Sequence, residues 1–347
     1  MAYCMQNPWR GRGLGSAGPL PLAEARHVAG LLEHCPAHAP TPLRTAPGLA
    51  ATAGVAQLWL KDERSRMGLG SFKALGAAHA IAREAAATSA SDLRNALRAR
   101  VYVTASAGNH GLSVAAGARL FGARAVIYLA ETVPDAFAAR LQAKGAEVVR
   151  AGADYEASMQ AAAAAARAQG WTLLSDSSWP GYTELPLRVM EGYLQLAAEA
   201  ALQIDQPPTH ILLQAGVGGL AAAVAAHVRL VWGDGPQIVV VEPDAAPALI
   251  ESIRAGRLVE TSGPTSCMGR LDCKTASMIA LNGLARDADL FVTISEAEAM
   301  YGAEALTAQG LPTTPSGAAG VAALLAGLAL PIDARVLAIL SEGPEDG

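Results

Sequence analysis

Short β-branched and leucine-rich runs alternate along this chain with alanine-rich stretches. The runs QLWLKD (57–62), VYVTAS (101–106), RAVIYLA (124–130), EVVRAG (147–152), WTLLSD (171–176), HILLQAG (210–216), QIVVVEP (237–243), LFVTIS (290–295) and VLAILS (336–341) predict strands. Between them HGLSVAAGARLFG, PDAFAARLQAKG, DYEASMQAAAAAARAQG and GGLAAAVAAHVRLVWG predict helices, several closing on the usual Gly stop. Continuously apolar strands separated by helices belong in parallel sheets covered on both faces. Nine strands exceed a comfortable single sheet, and 101–176 make a βαβαβαβ unit of their own. The expectation is an α/β protein with two parallel-sheet domains. The smaller one, 86–174, is inserted into a larger one formed by 1–85 and 175–347. No repeat-length period is visible.

Composition narrows the class. Of 347 residues, 52% are hydrophobic and 16% charged, which favours a large buried core over disorder. A net charge of −5 and the lack of a Lys/Arg run give no field for nucleic acid. No apolar stretch has membrane-spanning length, and MAYCMQNPWRGRG has no apolar signal core. Cys4, Cys35, Cys267 and Cys273 lack metal-ligand spacing, and reduced thiols are expected even for the neighbours Cys267 and Cys273. The histidines form no metal motif. A cytoplasmic protein is expected, with no regulatory domain after Gly347.

One residue resists this picture. In SRMGLGSFKALGAAHAI, Lys73 stands at the head of an apolar helix with no carboxylate in the neighbouring sequence. A helix N-terminus is already partly positive, so a second cation there is unfavourable. Either the side chain snorkels to water, or its amine is bonded to something. Three strand-to-helix turns bear on the choice, since open α/β sheets bind ligands at such places.

The turn TASAGNHG (104–111) gathers backbone N–H groups near Asn109 and His110, or is only a tight Asx-type turn. The turn QAGVGGLAAAV (214–224) suits a phosphate. It also reads as a dinucleotide fingerprint through Gly216, Gly218 and Ala221, with Glu242 placed for a ribose. That would make an NAD-dependent oxidoreductase, but would leave Lys73 and the first turn unexplained. The turn TTPSGAAGVAAL (313–324) adds hydroxyls, or merely an N-cap from Ser316 or Thr314. A phosphate cradle, an anion cradle, a hydroxyl and an apolar lysine together suit pyridoxal phosphate, carried by lysine as a Schiff base.

SFK, SAGNHG, AGVGG, VEPD and PSGAAG together resemble the fold type II (tryptophan-synthase-β-like) pyridoxal-phosphate enzymes. NPWRGRG, APTPLRTAPGLA, WLKDERSRMGLGSFKALGA, SDSSWPGYTELPLRVMEGY, LLQAGVGGLAAAV and CMGRLDC are similar to diaminopropionate ammonia-lyases, over roughly Asn7 to Leu325. The resemblance implies that Lys73 holds the cofactor beside Phe72 and takes the α-proton. Asn109 would bond the phenolic oxygen, and Gly216, Val217, Gly218 and Gly219 the phosphate. Ser316, with Thr314 nearby, would face the pyridine nitrogen as a neutral partner. Ser106, Ala107, Gly108 and His110 would line the substrate carboxylate site. Asp176 would lie near the substrate amine, its alternative being a strand-end cap.

The implied reaction is α,β-elimination from a small amino acid, first 2,3-diaminopropionate, to pyruvate and ammonia, by a homodimer. A threonine/serine-type dehydratase is the alternative within the class. Departures concern the substrate pocket. The lyases have Asp where this chain has Ala107, and Asn where it has Gly70; MGRLDC introduces Arg270 and Asp272. Without an acid at 107, the L-enantiomer is the expected substrate. Arg270 could hold an acidic side chain on the substrate or pair with Asp272.

Overall fold

The computed structural model describes residues 3–15, 18–35, 37–90 and 92–344. The outermost residues of the expected large domain, 1–2 and 345–347, therefore lie outside the described residues. Eleven strands occur among those described: β1 Tyr3–Gln6, β2 Leu43–Thr45, β3 Gln57–Asp62, β4 Val101–Ala105, β5 Arg124–Leu129, β6 Glu147–Arg150, β7 Thr172–Leu173, β8 His210–Gln214, β9 Gln237–Pro243, β10 Leu290–Ile294 and β11 Arg335–Leu340. Each of the nine apolar runs became one of these strands. WTLLSD kept only two paired residues, because the chain peels away as side chains take its backbone groups. His110 Nε2 donates to Leu174 O at 2.8 Å, and Tyr182 Oη donates to Leu173 O at 2.8 Å.

The strands form two sheets. One has the order β1-β10-β9-β8-β11-β3-β2 and the other β6-β5-β4-β7. The smaller sheet is wholly parallel. The larger is parallel from β10 to β3, but β1 and β2 pair antiparallel at its edges. These two edge strands are the correction to an all-parallel reading. With four and three residues, they are too short to carry a periodicity.

Both faces of both sheets are covered. Leu58, Leu60, Val239 and Val241 pack under the Pro315–Leu325 helix, while Ile211, Leu213, Ile238 and Val240 face the opposite layer. The opposite layer continues between the sheets through Leu75, Ile81, Leu112 and Tyr193. There the helices Lys73–Ala86 and Glu184–Gln203 touch through glycines. A Cβ at Gly76 would lie 2.6 Å from the Tyr193 ring, and one at Gly192 would lie 2.2 Å from Leu75 O. Neither position has room for a methyl group, so this contact fixes where Lys73 starts its helix.

A buried ionic cluster anchors the same segment. Arg66, fully buried, donates to Glu63 and Glu199, and Lys61 donates to Glu199 at 2.7 Å and to Thr41 O at 2.7 Å. It ties β3 and the turn after it to the Glu184–Gln203 helix. Met67, next in the chain, takes a left-handed φ of 51°, so the path into Ser71-Phe72-Lys73 is tightly specified.

Candidate active site

Lys73 is the first residue of its helix. The preceding backbone is stitched to the end of β11: Phe72 N donates to Ser341 O at 3.0 Å, and Gly343 N to Gly70 O at 2.9 Å. The partner missing from the local sequence comes from 103 residues away, as Lys73 Nζ pairs with the Asp176 carboxylate. The amine also stands 5.3 Å from the Phe72 ring centre and 5.8 Å from that of Tyr193. Burial disfavours the ammonium, but Asp176 outweighs it and holds the amine well above the ordinary lysine range. Burial likewise opposes the carboxylate, and Lys73 reverses that, driving Asp176 far below the usual range.

The loop after β7 presents Asp176. Tyr182 Oη accepts from Ser175 N at 3.0 Å and stacks on Trp179 with ring centres 4.4 Å apart. On the other side His110 spends its Nε2 proton on Leu174 O, two residues before Asp176. Burial lowers the His110 pKa, so the ring is neutral, and its Nδ1 is buried without a protein partner. His110 thus braces the Asp176 strand end rather than offering an N–H from Nε2 to a substrate carboxylate.

The three turns converge through one loop. Arg270 N donates to the Ser316 hydroxyl at 3.1 Å, and Arg270 Nη1 donates to Ala107 O at 2.9 Å. A Cβ at Gly216 would meet Cys273 Sγ and Leu271 Cα at 3.0 Å and Arg270 O at 3.1 Å. Segment 270–273 therefore touches the first, second and third turns. In the first turn Ser106 Oγ accepts from Gly108 N and Gly111 N at 3.2 and 3.0 Å, and Asn109 opens the next helix. In the second, Gly218 caps the Gly219–Trp232 helix at φ 93°, a conformation that favours glycine. Val217, Gly218 and Gly219 thus lie at a helix N-terminus, the geometry that binds phosphate. Tyr193 connects this turn to Lys73: a Cβ at Gly219 would lie 3.6 Å from its ring.

Several expected roles need amendment. Thr314, not Ser316, is the N-cap of the Pro315–Leu325 helix; it accepts from Gly317 N at 3.0 Å and donates to Glu342 Oε1 at 2.6 Å. Both capacities of its hydroxyl are used, so it is no cofactor donor here. Ser316 keeps its own proton, as does Ser341, whose hydroxyl accepts from Gln214 Nε2 at 3.1 Å. Asp272 does not enter the site chemistry: its carboxylate pairs with Lys274 at 2.6 Å and accepts from Ser266 N at 3.2 Å. Glu242, the ribose ligand of the dinucleotide reading, accepts from Leu249 N and Ile250 N at 2.7 and 2.8 Å and is buried. Burial pushes its carboxyl up to about 8 against those two N–H groups. It is a helix cap, and the oxidoreductase reading falls with it.

Sequence reading missed three residues. Glu342 accepts from Asn109 Nδ2 at 2.6 Å as well as from Thr314. Tyr193 and Cys273 border Lys73 and Asp176, and burial lifts the Cys273 thiol to about 12, so it is inert. Cys267 and Cys273 are both free thiols, as expected. Among the described residues no cluster of His, Cys, Asp or Glu is placed for a metal, and no helix is long and apolar enough to cross a membrane.

A lysine at a helix start, a glycine turn crowded at Gly216 and Gly218, and an amide and hydroxyls in the neighbouring turns fit pyridoxal phosphate. The two sheets and this site define a fold type II pyridoxal-phosphate enzyme. The family of pyridoxal-phosphate dependent enzymes matches residues 35–342, and the chain belongs to it. It is 33% identical over 343 residues to diaminopropionate ammonia-lyase of Escherichia coli K12, covering 88% of this chain and 85% of the relative. It is 30% identical to a human serine dehydratase-like protein, over 71% of this chain and 69% of that one. The crystal structure of the E. coli ammonia-lyase in complex with D-serine superposes with a TM-score of 0.89 at 29% identity, over 100% of this chain and 95% of that one. The same enzyme with an aminoacrylate–cofactor reaction intermediate gives 0.87, at 29% identity over 100% and 94%. The chain is a pyridoxal-phosphate-dependent ammonia-lyase catalysing α,β-elimination.

Proposed function

We propose that the enzyme converts 2,3-diaminopropionate and water to pyruvate and two ammonia molecules, with the L-enantiomer preferred. The observation that carries this reading is the Lys73–Asp176 pair, an amine and a carboxylate sharing one proton-handling site. When bound, pyridoxal phosphate supplies the electron sink for charge developing at the substrate Cα. Lys73 takes the α-proton, and the departing β-amine needs a proton in return. Asp176 stands where it can hold that amine as its counter-ion. Once Lys73 no longer bears a free ammonium, burial is opposed less strongly and the Asp176 pKa rises from its depressed state. The Gly216–Gly219 turn holds the phosphate, and the Ser106–Gly108 turn, with Arg270 against it, receives the substrate carboxylate.

The test is a screen of β-substituted amino acids for 2-oxo acid and ammonia release. Fastest turnover of serine or threonine would replace the substrate with the dehydratase alternative, which the serine dehydratase-like relative supports. Domain limits at 86–174, a homodimer and a cytoplasmic location belong to the same proposal. Limited proteolysis, sedimentation and cell fractionation test them in turn.

Ala107 has no titratable group, so no base acts from that position on the face opposite Lys73. The L-to-D ratio of kcat/KM should exceed about 100, the lower range of a missing general base. Because Arg270 Nη1 lies on Ala107 O, a new acid there would pair with the guanidinium. Ala107→Asp should therefore raise D-activity more when combined with Arg270→Leu. Equal rates on both enantiomers in the unaltered enzyme would refute the preference. Separately, Arg270→Leu should raise KM about tenfold, the loss of one charged hydrogen bond, with kcat little changed. An unchanged KM would assign Arg270 to loop packing alone.

A further inference from the structure

Glu342 lies two residues beyond the end of β11 and is buried at 4% exposure. Its two carboxylate oxygens are divided between two turns: Oε2 accepts from Asn109 Nδ2 and Oε1 from Thr314 Oγ1, each at 2.6 Å. Its carbonyl accepts from Thr313 Oγ1 at 2.6 Å, so the side chain is fixed at both ends.

We propose that Glu342 is a positioning residue that sets the orientation of the Asn109 amide towards the cofactor. Glu342 Oε2 is the acceptor in this contact, so the Asn109 atom facing it is nitrogen. One Nδ2 hydrogen is committed to Glu342, and the amide cannot flip without placing its carbonyl oxygen against a carboxylate. The remaining Nδ2 hydrogen is held in a fixed direction, available to the cofactor's phenolic oxygen. With a neutral residue at 342 both amide orientations become accessible, and the time-averaged donation weakens. This rests on the cofactor reading above. Thr314 shares the carboxylate but caps its own helix, so it separates a capping role of Glu342 from an orienting one.

The sign of one spectroscopic shift tests the inference. Donation from Asn109 stabilises the anionic phenolic oxygen, hence the deprotonated form of the bound chromophore. If Glu342 works through Asn109, holo Glu342→Gln should titrate its visible band about one pH unit higher than the unaltered enzyme, a tenfold change in proton affinity. A carboxylate acting directly through space would do the reverse, because its removal lowers proton affinity. In an Asn109→Ala background the Glu342→Gln shift should vanish, and Thr314→Val should leave the band in place. A downward shift, no shift in a yellow Glu342→Gln protein, or the same shift without Asn109 would overturn the proposal. Should Glu342→Gln fail to load cofactor, Glu342→Asp decides. Its shorter carboxylate should move the band upward by less, and an unmoved band overturns the idea. A colourless unaltered protein would instead defeat the cofactor reading itself, so the two failures are distinct.

Discussion

Replacing Lys73 by alanine should lower kcat about 10⁴-fold, the upper range for loss of a general base, because the same nitrogen also holds the cofactor. Borohydride treatment of the unaltered holoenzyme should fix the cofactor to the peptide containing Lys73, and no such adduct should form in the variant. The fold should survive, since the helix contact at Gly76 and Gly192 does not involve the Lys73 side chain. The variant leaves Asp176 without its ammonium, so burial dominates and the carboxyl pKa rises from its depressed state. Adding Asp176→Asn should then recover any stability lost at neutral pH while restoring no turnover. Turnover within tenfold of normal in Lys73→Ala would remove Lys73 from the chemistry.

Much of this site was legible in the sequence, for identifiable reasons. Strands apolar on both faces announce themselves by composition, and the turns that follow them are marked by small residues. Lys73 was conspicuous because nothing near it in the chain could neutralise it. Its partner was not assignable from local pattern, because Asp176 reaches it only when β7 and the Lys73–Ala86 helix are brought together. The same holds for Glu342, whose hydrogen bonds with Asn109 and Thr314 span 233 and 28 residues. Nothing in LSEGPEDG distinguishes a site carboxylate from a solvated one. His110 shows the opposite error: its motif was read correctly as a turn, but the direction of its ring depends on a carbonyl 64 residues away. Lys61, ending an apolar strand, and Arg66 in the following turn look like surface charges in one dimension and are fully buried in three.

That buried cluster carries the largest expected effect on stability. Arg66→Met should destabilise the protein by about 3–5 kcal/mol, the range for removing one partner of a buried ion pair. Arg66 supplies donors to both Glu63 and Glu199, so its loss takes the guanidinium from two buried carboxylates at once and leaves Glu199 to Lys61. Replacing the group with uncharged residues of similar volume, as Arg66→Met with Glu63→Gln and Glu199→Leu, should recover part of the loss, provided Lys61 is also made Met. The pH dependence follows from Glu199. Burial opposes its charge, but hydrogen bonds from Arg66 and the Lys61 ammonium hold its pKa down to about 2. A depressed carboxyl stabilises the fold fully above its unfolded value near 4.5 and loses that contribution as pH falls towards 2. The unaltered protein should therefore lose stability between about pH 4.5 and 2, and Glu199→Gln should flatten that part of the curve. Since the cluster sits just before Met67 and the turn into Lys73, Arg66→Met should also weaken cofactor retention at temperatures where the fold persists. Urea midpoints measured across this pH range decide the matter: an Arg66→Met midpoint unchanged at pH 7 would mean that the buried charges are not coupled as their geometry requires.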